Sequence, residues 1–154
     1  IYTGRIVGSV DVYKRQDMIN AVEQATGVRP SETYLGDINL FAVFDNEDNV
    51  SNMTPNFDAV SKLDGQGLII SSSSNQYDFV SRYFCPKYGI NEDPVTGSAH
   101  TTLIPYWSEK LNKISLEARQ VSKRGGELFC ENTENRVLIG GNAVLYMKGV
   151  IEID

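Results

Sequence analysis

Histidine and cysteine are scarce in this chain. His100 is the only histidine, and Cys85 and Cys130 are the only cysteines among 154 residues. A zinc centre usually takes about four Cys, His or carboxylate ligands, so no metal site is expected. The two thiols stand alone in apolar, strand-like contexts, which suggests a reducing compartment more than a disulfide framework. A cytoplasmic location is therefore expected. Basic clusters are also missing: the net charge is −6, with Asp and Glu spread along the chain. Nucleic-acid binding needs a positive stripe, so a nucleic-acid partner is not expected. No apolar run approaches the ~20 residues of a transmembrane helix, so no membrane partner is expected either. Repeats, low-complexity tracts and interdomain linkers are absent too. What remains is 41% hydrophobic and 22% charged, the composition of an ordinary globular domain with its own core.

Residues 1–16 read differently from the rest. Asp11-Val12-Tyr13-Lys14-Arg15-Gln16 is what one frame of a common transposase-derived sequencing adapter encodes, given one deleted base after Val10. The competing reading is a genuine strand, since Ile6, Val7, Val10 and Val12 are β-formers. We expect an adapter scar and leave it out of the fold reasoning. The native domain is then 17–154, the C-terminal part of a longer protein whose N-terminal half is missing.

From residue 17 the pattern is α+β. Met18, Ile19, Val22 and Ala25 recur at helical spacing, and Gly27 ends that helix. A loop begins at Arg29-Pro30. A strand over 38–44 closes on the Asp45-Asn46-Glu47-Asp48 turn cluster. A short helix over 56–63 follows Thr54-Pro55, a cap with proline at the first helical position. Strands are expected at 68–72 and 77–85. A helix from Ser98 to Leu111 should bury Ala99, Thr102, Leu103, Tyr106 and Trp107. Its N-terminal half carries few charges and should be enclosed nearly all round. Further strands are expected at 114–122, 127–131, 136–139 and 143–147, joined by turn residues at 123–126, 132–135 and 140–142. Together these predict a curved, mostly antiparallel sheet wrapped around a central helix.

The most informative stretch lies just before that helix. Asp93 runs into a tight turn from Pro94 to Gly97, and the apolar-periodic segment begins at Ser98. A helix start attracts a carboxylate or phosphate, because unpaired N–H groups and the helix dipole both favour negative charge. On the residues alone, Asp93 is either a cleft carboxylate or a turn-forming and capping Asp. Gly97 lets the backbone approach a ligand closely, and Ser98 offers a hydroxyl, or the pair is a plain turn and cap. Ser98 and His100 are not a nucleophile–base pair, because side chains at i and i+2 of a helix diverge. His100 reads as a packed helix residue. Arg82 could bind an anion, pair with Asp78 or Asp93, or face solvent.

The same stretch resembles the signature of the PhzF-like isomerases of phenazine biosynthesis, which share the diaminopimelate-epimerase-like fold. The resemblance rests on Gly89-Ile90, on Glu92-Asp93-Pro94-Val95-Thr96-Gly97-Ser98-Ala99-His100 and on Pro105-Tyr106-Trp107. Flanking pieces from Tyr77 to Phe84 and from Gln120 to Glu127 extend it. It implies one half of a two-halved fold with the active site between the halves. It also implies a cofactor-independent isomerase or epimerase that moves a proton on a small carboxylated substrate. By that likeness Asp93, Gly97 and Ser98 bind substrate, and Asp93 supports catalysis. The principal acid/base is expected in the missing half, so the chain alone should be inactive. Thr101 stands where many relatives carry a cysteine, so this half does not supply a thiol base. The alternative is a non-catalytic small-molecule-binding or interaction protein on the same fold. Apolar surface left bare near the helix start should favour self-association as a homodimer.

Overall fold

A computed structural model describes residues 2–6, 13–133 and 136–153. Its strands are β1 (Tyr2–Ile6), β2 (Tyr13–Lys14), β3 (Glu32–Leu35), β4 (Leu40–Val43), β5 (Leu68–Ser73), β6 (Phe79–Phe84), β7 (Glu92–Asp93), β8 (Ser115–Gln120), β9 (Gly126–Thr133) and β10 (Arg136–Gly141). The helices are α1 (Ile19–Thr26), α2 (Glu47–Ser51), α3 (Phe57–Val60) and α4 (His100–Leu111). The strands form one open sheet in the order β1-β10-β9-β8-β6-β5-β4-β3-β2, with β7 added to β6. Pairing is antiparallel except at β4–β5 and β6–β8. The expected α+β class and mostly antiparallel sheet are both present.

Helix α4 packs on one face of this sheet. Ala99, Leu103, Ile104 and Trp107 meet Phe41, Ile69, Phe79, Leu116, Leu128 and Val137 in one core. Every residue from His100 to Ile104 is buried, as the scarcity of charge there predicts. Trp107 stacks on Phe79 at 5.7 Å and donates its indole N–H to Ser71 Oγ at 2.9 Å. A second core lies on the other face of the central strands. Val22 and Ala25 of α1, Val50 of α2 and Val60 of α3 cover Leu40, Leu68, Ile70, Val80 and Phe84. Strands β4, β5 and β6 are thus covered on both faces, so their burial is nearly continuous instead of alternating. Strands β8 and β9 keep one face open, and their burial alternates along the chain.

Several elements depart from the sequence expectation. Strand β3 lies in what reads as a loop. The Asp45–Asp48 cluster is not only a turn, because Asn46 caps α2 by accepting the Asn49 N–H at 2.9 Å. The cap of α3 is Asn56, which accepts the Ala59 N–H at 3.0 Å, and not Thr54. Helix α4 begins at His100, two residues later than expected. The strand expected at 143–147 does not form: residues 142–153 carry no regular structure, and Val144 and Tyr146 are 92% and 97% exposed. Within the segment 1–16, β1 pairs with β10 at one sheet edge and β2 pairs with β3. Residues 7–12, and 134–135 of the expected turn 132–135, lie outside the described residues. No helix among the described residues is long and apolar enough to cross a membrane.

Candidate functional site

The site is built where two strands share one edge of β6. Strand β8 runs parallel to the first half of β6, pairing Phe79–Ser81 with Ala118–Gln120. Beyond Ser81 the edge passes to β7, with Tyr83 opposite Asp93 and Phe84 opposite Glu92. The backbone at Asp93 is therefore fixed to the sheet, and the next residues turn directly into α4.

Asp93, Thr96 and Ser98 line one cleft of about 370 Å³, together with Asn39, Tyr83, Cys85, Thr101 and Thr102. Asp93 and Ser98 are brought together as the sequence predicts. Gly97 lies in the turn between them, half-buried, and is not a lining residue. Ser98 is exposed, and it is not the helix cap. Ala99 takes that position with no side-chain bond, which leaves the Ser98 hydroxyl uncommitted to capping. The Ser98 carbonyl accepts the Thr101 N–H at 3.2 Å and the Thr101 hydroxyl at 2.7 Å. The His100 N–H returns to Gly97 O at 3.0 Å. The His100 and Thr101 amides are thus used within the loop, and the amides of Gly97, Ser98 and Ala99 are those an anion could meet at this helix start.

The signature loop is gripped from β8. Gln120 Oε1 accepts the Thr96 N–H at 2.8 Å, and its Nε2 donates to Asp93 O at 2.6 Å. Ser122 donates its hydroxyl to Pro94 O at 2.8 Å. Thr96 donates its own hydroxyl to Asp93 Oδ2. Neither Thr96 nor Gln120 stands out in the sequence as a site residue.

His100 is fully buried, with Nδ1 at 2.8 Å from Thr96 O. A carbonyl can only accept, so Nδ1 carries the proton and Nε2 keeps a bare lone pair. Burial lowers its pKa to about 4, so the ring is neutral at pH 7. That geometry fits the packed-residue reading. Burial likewise pushes the Tyr83 hydroxyl up to about 12 and raises the Cys85 thiol, the nearby Asp93 charge adding to both. Arg82 forms a structural ion pair, though not with the expected Asp78 or Asp93. It pairs with Glu92 at 2.7 Å and donates to Val50 O and Met53 O, which ties the end of α2 to β7. Ile38, Tyr88 and Ile90 line the cleft and are each about half exposed, so apolar surface does lie bare near the helix start.

Residues 9–149 match the family model described as phenazine biosynthesis-like protein. An uncharacterised isomerase of Pseudomonas aeruginosa is 46% identical over 132 residues, covering 86% of this chain and 51% of that protein. A second, from Halalkalibacterium halodurans, is 40% identical over 84% of this chain and 49% of its own length. The crystal structure of a PhzF-family protein from Enterococcus faecalis superposes with a TM-score of 0.80 at 47% identity, over 99% of this chain and 55% of that one. The chain spans about half the length of the curated relatives it matches, and the family match begins at residue 9, inside the segment read as adapter. With signature, fold and relatives in agreement, the chain belongs to the phenazine biosynthesis-like, PhzC–PhzF, family.

Proposed function

We propose that the parent protein is a cofactor-independent isomerase or epimerase that removes a proton from carbon in a small carboxylated substrate and returns it elsewhere. One observation carries this reading for the present chain: Asp93, Thr96 and Ser98 line a single cleft at the start of α4. The relatives named as isomerases support the reaction class. Ser98 and the neighbouring amides would hold the substrate carboxylate, and Asp93 would contact the reacting region. Fixing the carboxylate supplies orientation, and donors held in place offset the negative charge that develops as the proton leaves. The principal acid/base belongs to the half that this chain does not contain, so the chain alone is inactive.

The test follows carbon-bound hydrogen. The parent protein is incubated in D2O with a panel of small carboxylates and no added cofactor, and deuterium uptake is read by mass spectrometry. Uptake on at least one carboxylate is expected. Asp93→Asn and Ser98→Ala should each lower its rate about ten- to hundred-fold, from roughly 1.5–3 kcal/mol for a lost hydrogen bond to a charged group. Wild-type rates in both variants would remove these residues from the mechanism. A carboxylate bound without deuterium uptake would favour the non-catalytic binding protein.

A further inference from the structure

Thr96 is held at every polar group it has. Its N–H goes to Gln120 Oε1 at 2.8 Å, and its carbonyl receives His100 Nδ1 at 2.8 Å. Its hydroxyl oxygen lies 3.2 Å from Gln120 Nε2 and within reach of Asp93 Oδ2. The direction of each bond follows from the chemistry of the partners. The Thr96 N–H can only donate and the Asp93 carbonyl can only accept, so the Gln120 amide has one possible orientation. Its oxygen faces Thr96 N, and its two hydrogens go to Asp93 O and Thr96 Oγ1. A hydroxyl has one hydrogen. Since Gln120 already donates to Thr96 Oγ1, the hydroxyl hydrogen is left for Asp93.

We propose that Gln120 is a positioning residue for Asp93, acting through the Thr96 hydroxyl. The amide of Gln120, fully buried at the end of β8, sets the direction of the Thr96 O–H. That O–H in turn holds one carboxylate oxygen of Asp93 and so fixes its side-chain rotamer at the cleft wall. His100 takes part from the other side. By donating to the Thr96 carbonyl it anchors the residue through which the relay runs. The assignment rests on Asp93 being the cleft carboxylate of the proposed function. It adds a strand residue, 27 positions away in sequence, whose side chain does not line the cleft.

The relay is tested on the isotope-labelled chain by NMR. Three-bond couplings from Asp93 Cγ to its backbone N and carbonyl carbon report χ1. The wild-type chain should show one Asp93 rotamer and a slowly exchanging Thr96 hydroxyl proton near the Gln120 amide. Thr96→Ser keeps the hydroxyl and should keep the single rotamer. Thr96→Val keeps the shape without the hydroxyl and should reduce the couplings to averaged values. Gln120→Met keeps the volume but leaves the Thr96 hydroxyl free to turn, and should also average them. A fixed Asp93 in Thr96→Val or Gln120→Met, or equal averaging in Thr96→Ser and Thr96→Val, overturns the proposal. If Gln120→Met does not fold, the Thr96 pair decides alone. Titration of the same samples with acetate reads the functional reading separately, through the amide shifts of Ser98 and Ala99. Absent shifts with an Asp93 response as above would defeat the anion site and leave the relay standing. Clear shifts with an indifferent Asp93 would do the reverse.

Discussion

A single buried imidazole gives the molecule an acid-sensitive core. The folded pKa of His100, about 4, lies below its ordinary value of 6.5. Between those values the unfolded chain binds a proton that the folded chain refuses, so stability falls as pH falls from 6.5 towards 4. The full effect is on the order of 3 kcal/mol. Glu32 extends the loss. Burial opposes its charge, but hydrogen bonds from Tyr34, Lys110 and Tyr106 outweigh that and hold its pKa at about 2, against 4.5 normally. Its contribution is complete above pH 4.5 and is lost as pH drops towards 2. Urea unfolding across pH 3–8 should show both segments, and His100→Asn, whose amide nitrogen can replace Nδ1, should flatten the upper one. Gly67 is a second sensitive position, since a Cβ there would lie 2.5 Å from the Tyr83 hydroxyl. Gly67→Ala should displace that ring from Asn39, its partner at 2.9 Å, and cost about 1–3 kcal/mol in thermal or chemical unfolding. Residues of this scale were unevenly legible. The placement of Asp93 and Ser98 at one cleft could be read because the proline turn and the helix start are local. Gln120 could not, because its role depends on β8 lying beside β6, a pairing between distant segments. The one available signal was a glutamine in phase with Leu116 and Ala118 on the inward side of an alternating strand.

Caps separate the expected elements from the observed ones. Asn56→Ala should destabilise the chain by about 1 kcal/mol, and Thr54→Ala by much less, because it is Asn56 that receives an amide of α3. Equal losses from the two would restore the Thr54 cap read from the sequence. At the other end of α4, Asn112 holds a left-handed conformation with φ of 51°. Asn112→Gly should therefore leave the unfolding midpoint unchanged or raise it slightly, whereas Asn112→Val should lower it. Most strands and the two longer helices were visible in the sequence, because their apolar periods are regular and their ends carry Gly27, Pro86 or Asn112. Strand β3 was hidden by its polar residues, Glu32 and Thr33, which make contacts across the fold. Residues 143–147 misled for the opposite reason. They have strand chemistry but pair with no strand among the described residues, and a strand is stabilised by its partners more than by its own residues.

Among the described residues, most of the exposed large apolar side chains lie around the cleft and along 142–153, with Tyr13, Ile114 and Phe129 exposed elsewhere. Seven large apolar side chains in 142–153, Val144, Leu145, Tyr146, Met147, Val150, Ile151 and Ile153, are more than three-quarters exposed. Ending the chain at Gly141 should change its unfolding free energy by only about 0.5 kcal/mol, while reducing self-association in sedimentation and binding of apolar dyes. Association that survives the truncation would place the contact elsewhere, at Ile38, Tyr88 and Ile90 or at Ile114 and Phe129. The two-faced arrangement of the sheet was only half legible. The helix-bearing face followed from α4, but the layer of α1–α3 is made of short helices whose packing no local pattern announces. The shared edge of β6 has one more consequence. Leu116, Ala118 and Gln120 face inward from β8, while Ser115, Glu117 and Arg119 face out. Because strand side chains alternate with a period of two, adding or losing one residue there exchanges the two sets. Glu117 and Arg119 would enter the core as Gln120 left the loop at Asp93. A codon gained or lost within β8 is thus rejected twice, once by the fold and once by the cleft.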